Sequence, residues 1–512
     1  MLATVASRTL LGLDALPVTV EVDVAPGLPT VALVGLPDAT VKESKDRIKA
    51  ALTNSQFEWP VKRLTINLAP AHLKKEGPAF DLPIALAILA ATGQLPPGAL
   101  AGVTVVGELA LDGAVRPVAG ALPIALACRR DHRQGTGRLL VPAANAAEAA
   151  AVHGLPVYPL RSLAHTVAFL KGDCAVEPAT PPVPEEVAPT DDSLDFAEVR
   201  GQALAKRALE IAAAGNHNVI LVGPPGTGKS MLAKRLPTIL PPMTWEETLA
   251  TTAIHSVAGL TVQGDQLVRA RPFRAPHHTI SDVGLVGGGT HPRPGEVSLA
   301  HHGVLFLDEL PEFHRGALEA LRQPLEDGQV TVTRAARALT FPARFMLVAA
   351  MNPCPCGYFT DARRACHCPP TQIQKYRRKI SGPLWDRMDL HVTVPAIGFA
   401  ELTDGRAEEP SAVIRARVVA ARQRQLDRFT GERIWANAQM GSRALKRHAV
   451  LPADGRQLLK AAMTDLGLSA RAYDRILKVA RTIADLAGAE TLRTEHLAEA
   501  IQYRALDRAV YG

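Results

Sequence analysis

Asn218–Met231 reads NVILVGPPGTGKSM. Val219 to Val222 form an apolar run that stops at glycine, and the loop Gly223-Pro224-Pro225-Gly226-Thr227-Gly228 leads through Lys229-Ser230 into a helical pattern. The spacing is G-x-x-x-x-G-K-[ST] between a strand and a helix, the phosphate-binding loop. Its glycines free backbone N–H groups to point at an anion, and the helix N-terminus behind them adds partial positive charge. On this reading residues Gly223 to Met231 bind a nucleoside triphosphate. Lys229 reaches the β- and γ-phosphates, and the Ser230 hydroxyl ligates Mg²⁺. The expected fold class is α/β, with the loop at the end of a parallel-sheet strand.

Mg²⁺ held by a phosphate loop needs a carboxylate on the other side, and Gly303–Glu309, GVLFLDE, supplies it. Asp308, at the end of a buried strand, is placed to hold the metal. Glu309 is placed to orient or deprotonate the attacking water. A third apolar strand, Phe345–Ala350, ends in Met351-Asn352-Pro353, which brings the Asn352 amide to the same edge.

The bulk numbers exclude little but agree. At 512 residues the chain is too long for one hydrophobic core. Apolar residues at 47% and charged residues at 21% are ordinary for a soluble protein. Apolar runs break before membrane-spanning length, and the start lacks a basic segment followed by an apolar core, so the expected location is cytoplasmic. A net charge of +7 fits a polyanionic partner without requiring one.

Four regions are expected. Residues 1–170 mix strands and helices: Val18, Val20, Val22 and Val24 alternate with polar residues, Val31–Val34 and Leu64–Leu68 give further strands, and Pro83–Ala91 a buried helix. Residues 171–192 are rich in Pro, Glu and Ala and read as a semi-rigid linker. Residues 193–396 carry the nucleotide motifs. Residues 397–512 are helical in pattern, with Arg415, Arg417, Arg422, Arg424 and Arg428 along one helix, either a solvated face or a DNA-binding one.

Within residues 1–170, Lys75–Asp81 (KEGPAFD) and the stretches Gly107–Gly113 and Val115–Gly120 resemble the proteolytic domain of the Lon protease family. In that family the first motif carries a nucleophilic serine and the second precedes a catalytic lysine. Here those positions are Ala79 and, on or near it, Leu122. Neither side chain has a lone pair, so the expected domain is Lon-like in fold and inactive as a peptidase.

Over nearly its whole length the chain resembles the YifB/ComM branch of the magnesium-chelatase-like AAA+ ATPases. GPPGTGKSMLA, RPFRAPHHTISDVGLVGGG, PGEVSLAHHGVLFLDELPEF, MNPCPCG and SGPLWDRMDLHV carry the resemblance. It implies that Asn352 is the sensor touching the γ-phosphate or the water. It also implies that Arg387 is an arginine finger acting on a neighbouring subunit's nucleotide, and that Arg471 is a second sensor on a helical lid. The implied protein is a hexameric ATPase of helicase or branch-migration type, acting on DNA in recombination or natural transformation (competence). The alternative is a metal-insertion ATPase like the small subunit of magnesium chelatase. The N-terminal domain and a cysteine-rich loop are expected to set the chain apart from that subunit.

Two stretches bear on other ligands. Val330–Arg337 followed by Leu339–Phe341 reads as a β-hairpin with Arg334 and Arg337 at its tip, either solvated or contacting DNA phosphates. The His277/His278 and His301/His302 pairs are expected to be structural or nucleotide-adjacent rather than metal ligands, because neighbours on a strand face opposite ways. Cys354, Cys356, Cys366 and Cys368 are four thiols in one short loop, able to close a tetrahedral Zn²⁺ site with His367 as a spare ligand, or else free thiols.

Overall fold

Asp14–Ala25 alternates buried and outward residues, with Val18, Val20 and Val22 at 2% exposure or less, because one face of its sheet is packed against helices. The computed structural model describes residues 1–131, 137–183, 194–261, 267–289, 292–334, 337–359, 361, 363–398, 401, 407–432 and 434–506, with backbone alone at 334 and 337. Its contacts divide into two units. The first comprises Met1–Glu185, Trp245–Val268 and Ala335–Phe341; the second comprises Glu186–Thr244, Arg269–Arg334 and Pro342–Gly512. The last part of the expected linker, residues 184–192, lies outside the described residues.

The first unit is built on a seven-stranded mixed sheet. Its order is Thr30–Val34, Arg63–Ala69, Asp14–Ala25, Leu2–Leu11, Val103–Val105, Arg138–Pro142 and Val157–Leu160. Asp14–Ala25 runs antiparallel to both of its neighbours, and the other pairings are parallel. The helix Asp81–Ala91 is buried on nearly every side, which is why its sequence is apolar all round rather than striped. Leu2–Leu11, unassigned by the sequence reading, is the middle strand. Its Arg8 is buried, donating from Nε to Cys128 Sγ at 3.2 Å and pairing with Asp131.

Trp245–Val268 falls inside the range expected of the ATPase core yet counts with this first unit. The helix Trp245–Val257 contributes Ala253, with Trp245 and Leu249 at the edge, to a core shared with Leu122, Ile124 and Ala125. Gly120 N donates to Ser256 O at 3.1 Å. Glu148 accepts from Leu122 N at 2.9 Å and from Thr261 Oγ1 at 3.3 Å. Burial pushes the Glu148 carboxyl upward, and the bonds from Ser256, Leu122, Asn145 and Thr261 hold it back.

The second unit carries a five-stranded sheet in the order Phe273–Arg274, Val304–Leu307, Met346–Met351, Val219–Val222 and Leu390–Thr393, all parallel. Both faces are covered. Val219, Leu221, Phe306, Val348 and Val392 pack with the helix Ala203–Gly215 and the C-terminal helices. Ile220, Leu305, Leu307, Leu347 and Ala349 pack on the other side with Leu318, Trp385 and Met388. Two covered faces explain why these strands are unbroken apolar runs rather than alternating ones.

The C-terminal region is helical, with Ser411–Arg428, Ser442–His448, Ala453–Asp465, Ala470–Leu486 and Thr494–Gln502. The arginines of its first helix are engaged within the chain. Arg422 donates to the carbonyls of Ala213 and Ala214, Arg415 to Leu240 O, and Arg424 to Asp485 O. Arg417 bonds Glu210 and Glu409, and Arg428 bonds Asp485. They fasten this helix to its neighbours, while Arg424 and Arg417, the latter 40% exposed, still face solvent, so the solvated-face reading holds in part.

Candidate nucleotide site

Three adjacent parallel strands end side by side, and the site is made by the residue that follows each. Val222 pairs with Met351 and Leu307 with Ala349, so Gly223, Asn352 and Asp308 emerge at one edge of the sheet. This carboxyl end is where open parallel sheets bind ligands. Asn218 holds the central strand in place: its Nδ2 donates to Arg387 O at 3.0 Å, and its Oδ1 accepts from Leu347 N at 2.8 Å. At Gly223 a side chain has no room, because a Cβ there would sit 2.1 Å from Val394 O.

Pro225 to Met231, Asp308, Glu309, Met351 and Asn352 line a cleft of about 420 Å³. Lys229 is buried and donates to Gly223 O at 2.7 Å, Pro224 O at 2.8 Å and Asn352 Oδ1 at 3.2 Å. Burial lowers its pKa, and the charges of Asp308 and Glu309 pull it back up. Ser230 Oγ donates to Asp308 Oδ2 at 2.5 Å. A hydroxyl and a carboxylate this close are a hard-oxygen pair suited to Mg²⁺, so the residues fit that ion. Gln202, buried beneath the loop, donates to Thr227 O at 3.2 Å and Pro395 O at 2.7 Å. Nothing in the sequence marks Gln202, since a glutamine at a helix start carries no catalytic signal.

Glu309 adopts a left-handed backbone, φ 53°, which turns its side chain out at 58% exposure. His278 Nδ1 lies 3.4 Å from Glu309 Oε2. His278 therefore lies against an acid that lines the cleft, and the argument from strand alternation fails. The strand ends at Arg274, and the His277 and His278 rings lie together with centroids 4.1 Å apart. His301 is structural: it is buried, its Nδ1 accepts from Arg344 N at 3.0 Å, and burial drives its pKa well down.

The two expected arginines do not line the cleft. Arg387 is 5% exposed, pairs with Glu326 and donates to Pro383 O at 2.6 Å, while its Nε is buried without a partner. Arg471 is exposed on the first turn of Ala470–Leu486. One turn later, Arg475 pairs with buried Asp389, which also accepts from Asn218 N at 2.9 Å. Burial works to raise the Asp389 carboxyl, but Arg475, His217 and Asn218 override it and hold it far below the usual carboxylate range.

The expected hairpin is present as Gln329–Arg334 paired with Arg337–Pro342. Its turn, 335–336, and the side chains of Arg334 and Arg337 lie outside the described residues. Ala79 sits in a short 3-10 turn, Pro78–Phe80, and Leu122 is fully buried. The sulfurs of Cys354, Cys356, Cys366 and Cys368 all lie within 4.8 Å of one another, an arrangement consistent with zinc; His367 is outside the group. A backbone N–H at Tyr358 and the Cys354 thiol bring the Cys356 thiol down to about 6. Among the described residues no helix is long and apolar enough to cross a membrane.

Residues 195–402 match the family model described as magnesium chelatase, subunit ChlI. Residues 20–145 match one described as subunit ChlI of Mg-chelatase, and residues 408–504 one described as the ChlI C-terminal. The N-terminal region was expected to set this chain apart from the chelatase subunit; it instead matches a model that carries that subunit's name. Among relatives, the chain is 47% identical to competence protein ComM of Haemophilus influenzae over 99% of this chain and 98% of that one. It is 45% identical to the YifB protein of Salmonella typhimurium over the same shares. A magnesium-chelatase 67 kDa subunit of Chlorobaculum parvum is 30% identical over only 31% of this chain and 23% of its own length. The chain belongs to the YifB/ComM family of magnesium-chelatase-like AAA+ ATPases.

Proposed function

We propose that the protein is an ATP-driven, ring-forming motor of helicase or branch-migration type, working on branched or single-stranded DNA in recombination or natural transformation. The observation that carries the enzymatic half is the convergence of Lys229, Ser230, Asp308, Glu309 and Asn352 on one cleft. Lys229 leaves the loop carbonyls to bind the β- and γ-phosphates. Glu309 takes the proton of a water that attacks the γ-phosphorus as the bond to the ADP oxygen breaks, and Asn352 orients that water or the γ-phosphate. Ser230 and Asp308 hold Mg²⁺, which neutralises charge on the phosphate oxygens when bound.

The DNA half rests on likeness to a relative named a competence protein and on the net charge of +7. In a hexamer, Arg387 exchanges Glu326 for the neighbour's γ-phosphate, Arg471 lies over the nucleotide, and Arg334 and Arg337 meet DNA phosphates in the pore. A second reading, metal insertion, is favoured by the chelatase names of all three family models. A peptidase is disfavoured by Ala79 and Leu122, which offer no nucleophile or base.

A mobile four-way junction with a labelled strand separates these readings. The motor converts it with ATP but not with a non-hydrolysable analogue. Absence of conversion, together with ATP-dependent Mg²⁺ insertion into a porphyrin on adding chelatase partner subunits, favours the second reading.

A further inference from the structure

The turn Cys354–Gly357 lies directly against the phosphate loop. At Gly357 a Cβ would stand 2.6 Å from Pro225 Cδ and 3.8 Å from Asn352 Cγ, and the residue has φ +85°, so nothing larger than glycine fits there. Gly357 N donates to Cys354 O at 2.9 Å, closing the turn that makes this contact. Whatever sets the position of Cys354 and Cys356 therefore sets the clearance of Pro225, which begins the wall of the nucleotide cleft.

The four sulfurs supply that positioning element. Cys354 Sγ lies 3.3 Å from Cys356 Sγ and 3.7 Å from Cys366 Sγ, and Cys356 Sγ lies 3.6 Å from Cys366 Sγ. Disulfide sulfurs are about 2.05 Å apart, so these are not bridges. A tetrahedral zinc with Zn–S of about 2.3 Å has its sulfurs about 3.8 Å apart, close to the spacing seen. Backbone N–H groups of Phe359 and Cys368 donate to Cys354 Sγ and Cys366 Sγ at 3.3 and 3.4 Å, outer hydrogen bonds of the kind that orient metal ligands. Arg377 adds a cation nearby, bonding Pro353 O at 3.3 Å and lying over the Phe359 ring. Four thiolates with no open position define a structural site rather than a catalytic one.

We propose that Cys354, Cys356, Cys366 and Cys368 hold one zinc ion that fixes the Cys354–Gly357 turn as a stop behind Pro225, making nucleotide handling in the cleft depend on zinc occupancy. The zinc joins the two ends of the loop, Cys354-Pro355-Cys356 and Cys366-His367-Cys368. Without it the turn keeps its own hydrogen bonds, its packing on Pro225 and the neighbouring Arg377–Pro353 bond, but loses its tie to Cys366 and Cys368. The phosphate loop then loses its backing, and Asn352, two residues before the first ligand, loses its register with Lys229. This coupling rests on reading the cleft as a nucleotide site.

The test uses the full-length protein, purified without added metal. Zinc is measured by elemental analysis, and binding of a fluorescent non-hydrolysable ATP analogue and ATP turnover are measured on the same samples. The proposal expects one zinc per chain. In Cys366→Ser/Cys368→Ser it expects loss of that zinc and a fall in turnover of about tenfold or more, since a displacement of about 1 Å away from the chemistry costs on the order of a hundredfold. Because the double variant can fail to fold, Gly357→Ala serves as the second arm: it keeps its zinc and still loses turnover. Absence of zinc from the wild-type protein overturns the proposal. So does a zinc-free double variant, or a Gly357→Ala variant, that binds and hydrolyses ATP like wild type. Lys229→Ala keeps the outcomes apart: it retains zinc while losing turnover if the nucleotide reading holds. If Lys229→Ala turns over normally, the nucleotide reading itself has failed.

Discussion

At the scale of single residues, Lys229, Glu309 and His278 carry the chemistry proposed for the cleft. Lys229 was legible because its spacing from Gly223 and its place before Ser230 define a motif with a physical purpose. Lys229→Ala removes the cation proposed to bind the phosphates, and turnover in a phosphate-release assay is expected to fall by about 10²–10³-fold, the scale of losing one preorganised charge partner. Hydrolysis retained at the wild-type rate contradicts the site. His278 was not legible as Glu309's partner: it lies in a loop, and no periodic pattern brings residue 278 to residue 309. Its 3.4 Å approach gives the exposed Glu309 a preferred direction. His278→Ala is therefore expected to lower kcat about tenfold while ATP-analogue affinity stays within about twofold, because orientation rather than phosphate binding is lost. An unchanged kcat removes His278 from the machinery.

At the scale of elements, the parallel strands of the second sheet were readable because both faces are buried, so Val219–Val222 and Val304–Leu307 are uninterrupted apolar runs. Leu2–Leu11 was hidden because Ser7, Arg8 and Thr9 sit buried within it, and buried polar residues break the alternation that marks a strand. The arginine-rich helix Ser411–Arg428 was legible only in part for a related reason: sequence counts charges but not their partners, and its arginines also bond carbonyls and acids of neighbouring segments. Asp389 joins two elements, the strand Leu390–Thr393 and the helix Ala470–Leu486, through Arg475. Its folded carboxyl is held below the unfolded value of about 3.9, so its stabilisation is complete above that pH and is lost as pH falls below about 4. Asp389→Asn leaves Arg475 without its buried partner and is expected to cost about 3–5 kcal/mol near neutrality by denaturant unfolding. It should also flatten the acid-side loss of stability below about pH 4. A variant as stable as wild type at pH 7 contradicts the network.

At the scale of the whole molecule, the YifB/ComM resemblance came from motif order along the chain, and the relatives matching over 99% of it agree. What the sequence could not show was that Trp245–Val268 is built into the core of the first unit, because membership of a core is a long-range property. Nor could it show that Arg387 is paired with Glu326 in the single chain. The ring reading makes a mixing prediction. Lys229→Ala and Arg387→Ala proteins, each inactive alone, are expected to recover activity when mixed, to about a quarter of wild type for random assembly, because some sites then combine an intact lysine with a neighbour's arginine. No recovery places Arg387 outside a shared site. The central claim is that hydrolysis in the cleft is coupled to DNA, and steady-state phosphate release from the full-length protein tests it most directly. Branched or single-stranded DNA is expected to raise the rate several-fold over protein alone, with stimulation weakening as salt rises, and Lys229→Ala is expected to show none. A rate indifferent to every form of DNA supplied contradicts the claim.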